Sequence, residues 1–339
     1  MDDPPEPLAP VARPPGGPLA APAQGQPAAA RHGASVTENI NGVAVSAYFR
    51  GNRLIVEYKR GLARFQQILA RTDAVSSVIP QVAVGRDGRA TVLWAGRLPG
   101  VSPTNAVKVF VTDLRPLVGG PLGLVGGGVS RPISGNVAAS NPGLGANLQG
   151  DLVAVWNTCS SRSFTGAPGV CTGQVGVQAR IRREGRAGFG PTRALTIGAG
   201  GNATAPGAAF GRARRAIVTY ADNTGVKAAS SARASGNWIT SAVSTNPAGP
   251  IGALLAHNRR AQAAAVTWLE RDPDGIRQVP MAAVLQRSGQ FSDPAPLDAP
   301  GIMLAPPTTS IGPRGHALAL WSTLPGGVLA LNAARTRIR

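Results

Sequence analysis

Two cysteines, thirty-one arginines and sixteen acids hold most of the chemistry open to this 339-residue chain. Cys159 and Cys171 flank eleven residues in one loop, the spacing at which a hairpin brings its ends together. A disulfide there pins the loop, is worth about 3 kcal/mol in the chain-entropy account, and implies an oxidising compartment. Two reduced thiols are the plainer reading. The arginines recur in short turns: Arg50 and Arg53, Arg86 and Arg89, Arg212, Arg214 and Arg215, Arg259 and Arg260, and Arg314. Guanidinium forks pair with carboxylate, sulfate or phosphate, so a ring of such turns would bind a polyanion; solvated surface charge is the plainer reading. No aromatic residue alternates with these turn arginines, which leaves stacking on single-stranded nucleic acid without support.

The acids offer less. Asp222, Glu270 and Asp272 lie in loops expected to share one face, where a glycosidase or lyase would assemble carboxylates from separate repeats. Glu270, Asp272 and Asp274 also stand two residues apart before Gly275, as calcium loops begin, but no distal acid follows, and Asp-Pro-Asp-Gly is ordinary turn chemistry. His32, His257 and His316 fall in the N-terminal tail or in turns, with no acid or serine at triad spacing. No catalytic residue, cofactor or metal is assigned on these grounds, and the balance favours binding over catalysis.

The element that positions these groups is a repeat. Six alternating apolar runs end in an aromatic: Leu54–Tyr58, Ala90–Trp94, Leu152–Trp156, Ala216–Tyr220, Ala264–Trp268 and Ala317–Trp321. Four of the five Trp fall at this one position, so the chain is an array of one unit. Strand-internal recurrence marks these aromatics as packing residues. A strand and tight turn precede each run; Asp87-Gly88 is a two-residue hairpin signal. Further strands follow, the last marked by an aromatic such as Phe189, Trp238 or Phe291. Anchor spacings of 36 to 64 residues suit four antiparallel strands per unit.

The expected fold is all-β: a β-propeller of six four-stranded blades, with five or seven as alternative counts. The last unit stops after three strands, and the segment near Val36–Ile40 is expected to supply its outer strand, closing the ring from both termini. Residues 1–35, with nine Pro in the first thirty, are expected to be a disordered tether, leaving 36–339 as the propeller.

The run Pro80-x-Val-Ala-Val-x-x-Asp-Gly-x-Ala-x-Val-x-Trp94, with a later Phe-Gly-Pro strand, resembles the repeats of secreted actinobacterial β-propeller proteins. More distantly it is similar to sialidase-type propellers, but the Ser-x-Asp-x-Gly-x-Thr-Trp box of that group is absent. The resemblance covers roughly residues 36–339 and bears on fold.

A formal charge of +18 favours anionic partners, although Arg over Lys at 31 to 3 in an Ala/Gly/Pro-rich chain also fits GC-rich coding. No run of about 18 apolar residues occurs, and no signal peptide is visible after Met1. The sequence therefore reads as a non-catalytic, secreted or surface-associated binding module for an anionic glycan or cell-envelope polymer. A carbohydrate-active propeller enzyme and a protein-interaction scaffold are the alternatives; sequence-specific nucleic-acid binding is not expected.

Overall fold

Val, Ala and Leu fill the strands so densely that a run such as Ala90–Arg97 is buried on both faces, which demands a neighbour on either side. The computed structural model describes residues 32–39, 41–50, 53–60, 63–70, 79–97, 107–116, 124–125, 130–135, 137–159, 175–196, 206–246, 250–272, 276–303, 305–325 and 329–338. Among them six antiparallel sheets follow one another along the chain.

The first sheet is β1 (His32–Glu38), β2 (Val43–Arg50), β3 (Arg53–Arg60) and β4 (Ala63–Ala70). In the second, β5 (Gln81–Val84), β6 (Ala90–Arg97), β7 (Val107–Pro116) and β8 (Leu124–Val125) pair in order, and β9 (Arg131–Pro132) also pairs with β7. β10 (Ala138–Ala146), β11 (Leu152–Cys159), β12 (Val175–Arg182) and β13 (Arg193–Ala194) make the third. The fourth is β14 (Gly207–Phe210), β15 (Ala216–Asp222), β16 (Gly225–Ser231) and β17 (Ile239–Ala242). The fifth holds β18 (Pro250–Asn258), β19 (Ala263–Arg271), β20 (Gln278–Val284) and β21 (Ala295–Pro296). The sixth has β22 (Thr308–Ile311), β23 (His316–Thr323) and β24 (Ala330–Arg337), three strands as expected.

The first strands of successive sheets lie side by side, β1 against β5, then β10, β14, β18 and β22 in turn. Between consecutive sheets runs an apolar layer. Val45, Phe49 and Val56 of the first meet Val84, Val92 and Trp94 of the second, and Trp156, Tyr220, Trp268 and Trp321 fill the four layers that follow. Close approach needs small residues: a Cβ on Gly145 would sit 2.7 Å from the Ala208 backbone of the next sheet. The anchors are packing residues, as their recurrence implied.

Two expectations about the first unit are corrected. β1 pairs with β2 through the Asn39–Gly42 turn, closed by Asn39 Oδ1 accepting from the Asn41 and Val43 N–H groups. It is the first strand of the first sheet, not the outer strand of the last, and among the described residues the sixth sheet is built from the C-terminal segment. β1 also begins at His32, inside the stretch expected to be tether. The extra strand makes Leu54–Tyr58 part of a third strand. Tyr58 accordingly joins the layer shared with the following sheet, whereas the other five anchors face the preceding one. The short first spacing of 36 residues has the same cause. In the third sheet Asn141–Gly145 is strand, with a bulge between Ser140 and Gly143, and the turn is Asn147–Asp151.

Candidate functional site

Each sheet has two ends. Turns from first to second strand emerge at what we term the lower end, and turns from second to third at the upper end. The lower end carries most of the predicted basic turns. Arg86 and Arg89 lie between β5 and β6, Arg212, Arg214 and Arg215 between β14 and β15, Arg259 and Arg260 between β18 and β19, and Arg314 between β22 and β23. Arg50 and Arg53 instead join β2 to β3 and belong to the upper end, because the first sheet has one strand more before them.

Several of these arginines have protein acceptors. Arg214 makes a two-pronged pair with Asp151 of the third sheet, through Nε at 2.6 Å and Nη2 at 2.5 Å. The Asp151 side chain is fully buried and also accepts from Asn147 and the Glu184 N–H. Burial pushes its carboxyl up, but these hydrogen bonds and the Arg214 charge outweigh that and hold it below the usual aspartate value. Arg259 donates to the carbonyls of Val84 and Glu38 and to Thr37 Oγ1. One side chain of the fifth sheet thus bonds to both the first and the second. Asn258 donates to Ile311 O, and Asn39 and Asn41 to Gly85 O and Arg86 O, tying further lower turns together. Beside Arg259, half-buried His257 is pushed down to about 4, by burial first and then by the Arg259 charge. A 120 Å³ cavity here is lined by Asn147, Phe210, Arg214, Arg259 and Gln262 among others. Arg89 pairs with Asp87 at 3.0 Å, both exposed.

The upper end holds the candidate acids. Tyr220 and Trp268 are equivalent anchors, and Asp222 and Glu270 each follow by two residues, so each acid shares its anchor's face at the same level of adjacent sheets. Glu270 is half-buried and accepts from the Trp268 indole N–H at 2.9 Å and from Asn246 at 3.3 Å. Asp222 accepts from the Thr224 N–H and Oγ1, which fixes the turn after β15. Asp222 also helps to push the Tyr220 hydroxyl up to about 12, behind burial as the main cause and against a hydrogen bond with Thr240. The Asp272 N–H donates to Arg277 O. Asp298, which the sequence reading passed over, accepts from the Trp321 indole N–H at 3.0 Å. Its signal was present but long-range: an indole in the next unit, 23 residues on, that needs an acceptor. Three half-buried carboxylates thus stand on or beside three consecutive sheets, two of them held by anchor indoles. Lys108, buried on β7 of the second sheet, donates to Val137 O, and burial lowers its pKa.

Among the described residues no three His, Cys, Asp or Glu come together as a metal site. Asp274, the last residue of the weighed calcium set, lies outside the described residues, as do Cys171 and the side chain of Cys159. No described helix is long and apolar enough to cross a membrane.

No protein-family model and no curated protein sequence matches the chain. Solved structures do. A GH93 α-L-arabinofuranosidase of Fusarium graminearum is 13% identical over 91% of this chain and 93% of its own, with a TM-score of 0.46. An α-L-arabinanase of Penicillium chrysogenum is 10% identical over 91% and 93%, at 0.44. The NanB sialidase of Streptococcus pneumoniae is 10% identical over 92% and 69%, at 0.43. The first two and the sialidase are named for action on sugars, against the expectation of a non-catalytic binding module, and that expectation is withdrawn. Likeness at this level assigns no activity to the chain. Nothing among the family models supports the actinobacterial repeat resemblance.

Proposed function

We propose that the six sheets are the blades of a β-propeller and that the chain is a carbohydrate-active enzyme, a glycoside hydrolase or lyase, working with carboxylates at the upper end. The observation that carries this reading is the equivalence of Asp222 and Glu270. They stand at one level of adjacent sheets, both half-buried, beside a connection that supplies Asn246. Sugar-cleaving sites need two such groups, one to protonate the leaving oxygen and one to act as base or nucleophile from the other side. Glu270, held by an indole N–H and an amide, is the fixed member; Asp222, whose hydrogen bonds among the described residues lie within its own turn, is its partner.

A thiol-quantitation assay under denaturing conditions tests the pairing of Cys159 with Cys171, and with it an extracellular setting. The activity is tested by incubating the purified chain with arabinan, arabinofuranosyl and sialyl substrates and with uronate-bearing polymers, alongside Glu270→Gln and Asp222→Asn. Release of sugar by the parent chain and its loss in both variants bears the reading out. Release that persists in both variants, or none from any substrate, overturns it.

A further inference from the structure

Between the outer turns of the third and fourth sheets, at the lower end, lies a groove of 410 Å³. That is within the range of small-ligand sites, about 300–1,000 Å³. Its walls are Phe189 and Trp238, both half-buried, with Arg183, Arg186 and Arg193 around it and a floor of small residues that includes Gly190 and Gly236. The aromatics are fixed. Arg182 lies over the Phe189 ring at 5.2 Å and is itself anchored to Asp113 and Thr91 of the second sheet, both at 2.6 Å. Trp238 packs against the apolar layer between the third and fourth sheets. Arg183 donates through Nε to Ala234 O, while Arg186 and Arg193 are exposed and face no carboxylate among the described residues.

We propose that this groove is a second sugar site, an exosite for a carboxylated oligosaccharide chain of the uronate type. Flat aromatic faces suit the C–H faces of sugar rings, and unpaired guanidinium forks suit carboxylates. A peptide added as a strand is disfavoured, because the outer strands here, β13 and β17, are two and four residues long. The choice of a sugar over another anion rests on the carbohydrate activity proposed above. It deepens that reading by naming an acidic polysaccharide as the substrate class. The groove lies at the opposite end of the sheets from Asp222 and Glu270, so its occupancy is separable from cleavage.

The test is a titration of tryptophan fluorescence with a galacturonate hexamer, an uncharged arabino-oligosaccharide and a glutamate hexapeptide. It is run on the Glu270→Gln chain, so that cleavage plays no part. The expected result is saturable binding of the galacturonate alone, weakened at least tenfold in Arg186→Ala/Arg193→Ala and at high salt. Trp238→Phe, which keeps an aromatic face, should retain binding of the hexamer as followed by calorimetry. Both arginines are exposed, so the double variant should melt with the parent. No binding of the galacturonate, equal affinity in the arginine variant, or tighter binding of the glutamate peptide overturns the proposal. Loss of sugar release in Glu270→Gln with galacturonate binding intact separates the two readings.

Discussion

At the lower end, a guanidinium of the fifth sheet reaches carbonyls of the first and second, a buried carboxylate of the third is locked to an arginine of the fourth, and asparagines tie neighbouring turns. At the upper end, Glu270 and Asp298 are held by neighbouring indoles, and Asp222 only by its own turn. Around the inner turns of the lower end, Arg214, Arg259 and Asp151 are engaged in bonds between sheets; at the upper end the candidate acids bond to their own turn or to neighbouring indoles. Abundance of charge was therefore a poor guide to the proposed catalytic end. Two of the basic lower-turn side chains, Arg214 and Arg259, tie sheets together, and a few acids carry the candidate chemistry.

The contrast can be broken most sharply by one substitution at each end. Glu270→Gln is expected to lower sugar release about 10³-fold, within the span of general acid–base contributions, with the melting temperature nearly unchanged. Arg214→Ala should do the reverse, costing about 3 kcal/mol in urea unfolding because it strands a buried carboxylate, with turnover intact. If either substitution moves both readouts equally, the division between the ends fails. Arg259→Ala should cost about 2 kcal/mol, since two carbonyls and a hydroxyl lose their donor; a loss below 0.5 kcal/mol would mean that water replaces it freely.

Acid sharpens the same point. Folding keeps His257 neutral down to about pH 4, whereas the unfolded chain protonates it near 6.5. This stability is whole above 6.5 and lost as pH falls to about 4, up to about 2 kcal/mol after allowance for partial exposure. Asp151 follows at lower pH, because its folded value is depressed: its contribution is lost only as pH falls below the ordinary aspartate range. Urea midpoints at pH 7, 5 and 4 should fall in that order, and His257→Gln should flatten the first part of the decline. The smallest effect concerns two buried indoles. Trp156 Nε1 has no partner among the described residues, so Trp156→Phe should change stability by less than about 0.5 kcal/mol beyond its volume cost. Trp268→Phe removes a bond to Glu270 and should cost about 1 kcal/mol more, with a change in the pH profile of sugar release.

The repeat was legible because packing between sheets demands a large aromatic at one level, and a recurring Trp or Tyr records it. Its phase in the first sheet was not, because Asn39-Ile-Asn-Gly42 gives a weaker turn signal than Arg50-Gly-Asn-Arg53 and the strand before it lies beside a Pro-rich stretch. Asp222 and Glu270 were found, since loop position follows from the repeat. Arg259 could not be read as a tie: its acceptors lie more than 170 residues away, and two of the three are backbone carbonyls, which leave no trace in side-chain type. The groove likewise joins two turns about 50 residues apart, neither of which is notable alone.

The sixth sheet has one face on the fifth, through Trp321 and Ala319, while Leu318, Leu320 and Leu331 on its other face are exposed. An array held by layers between neighbours unfolds from wherever a layer is missing. Among the described residues no apolar layer covers that face of the sixth sheet, so its amides are expected to exchange with solvent first, and unravelling to proceed from it toward the fourth and third sheets. Asp298, whose indole donor sits in that sheet, would lose its partner before Glu270 does, so mild heat should loosen one edge of the acid row while its centre still stands.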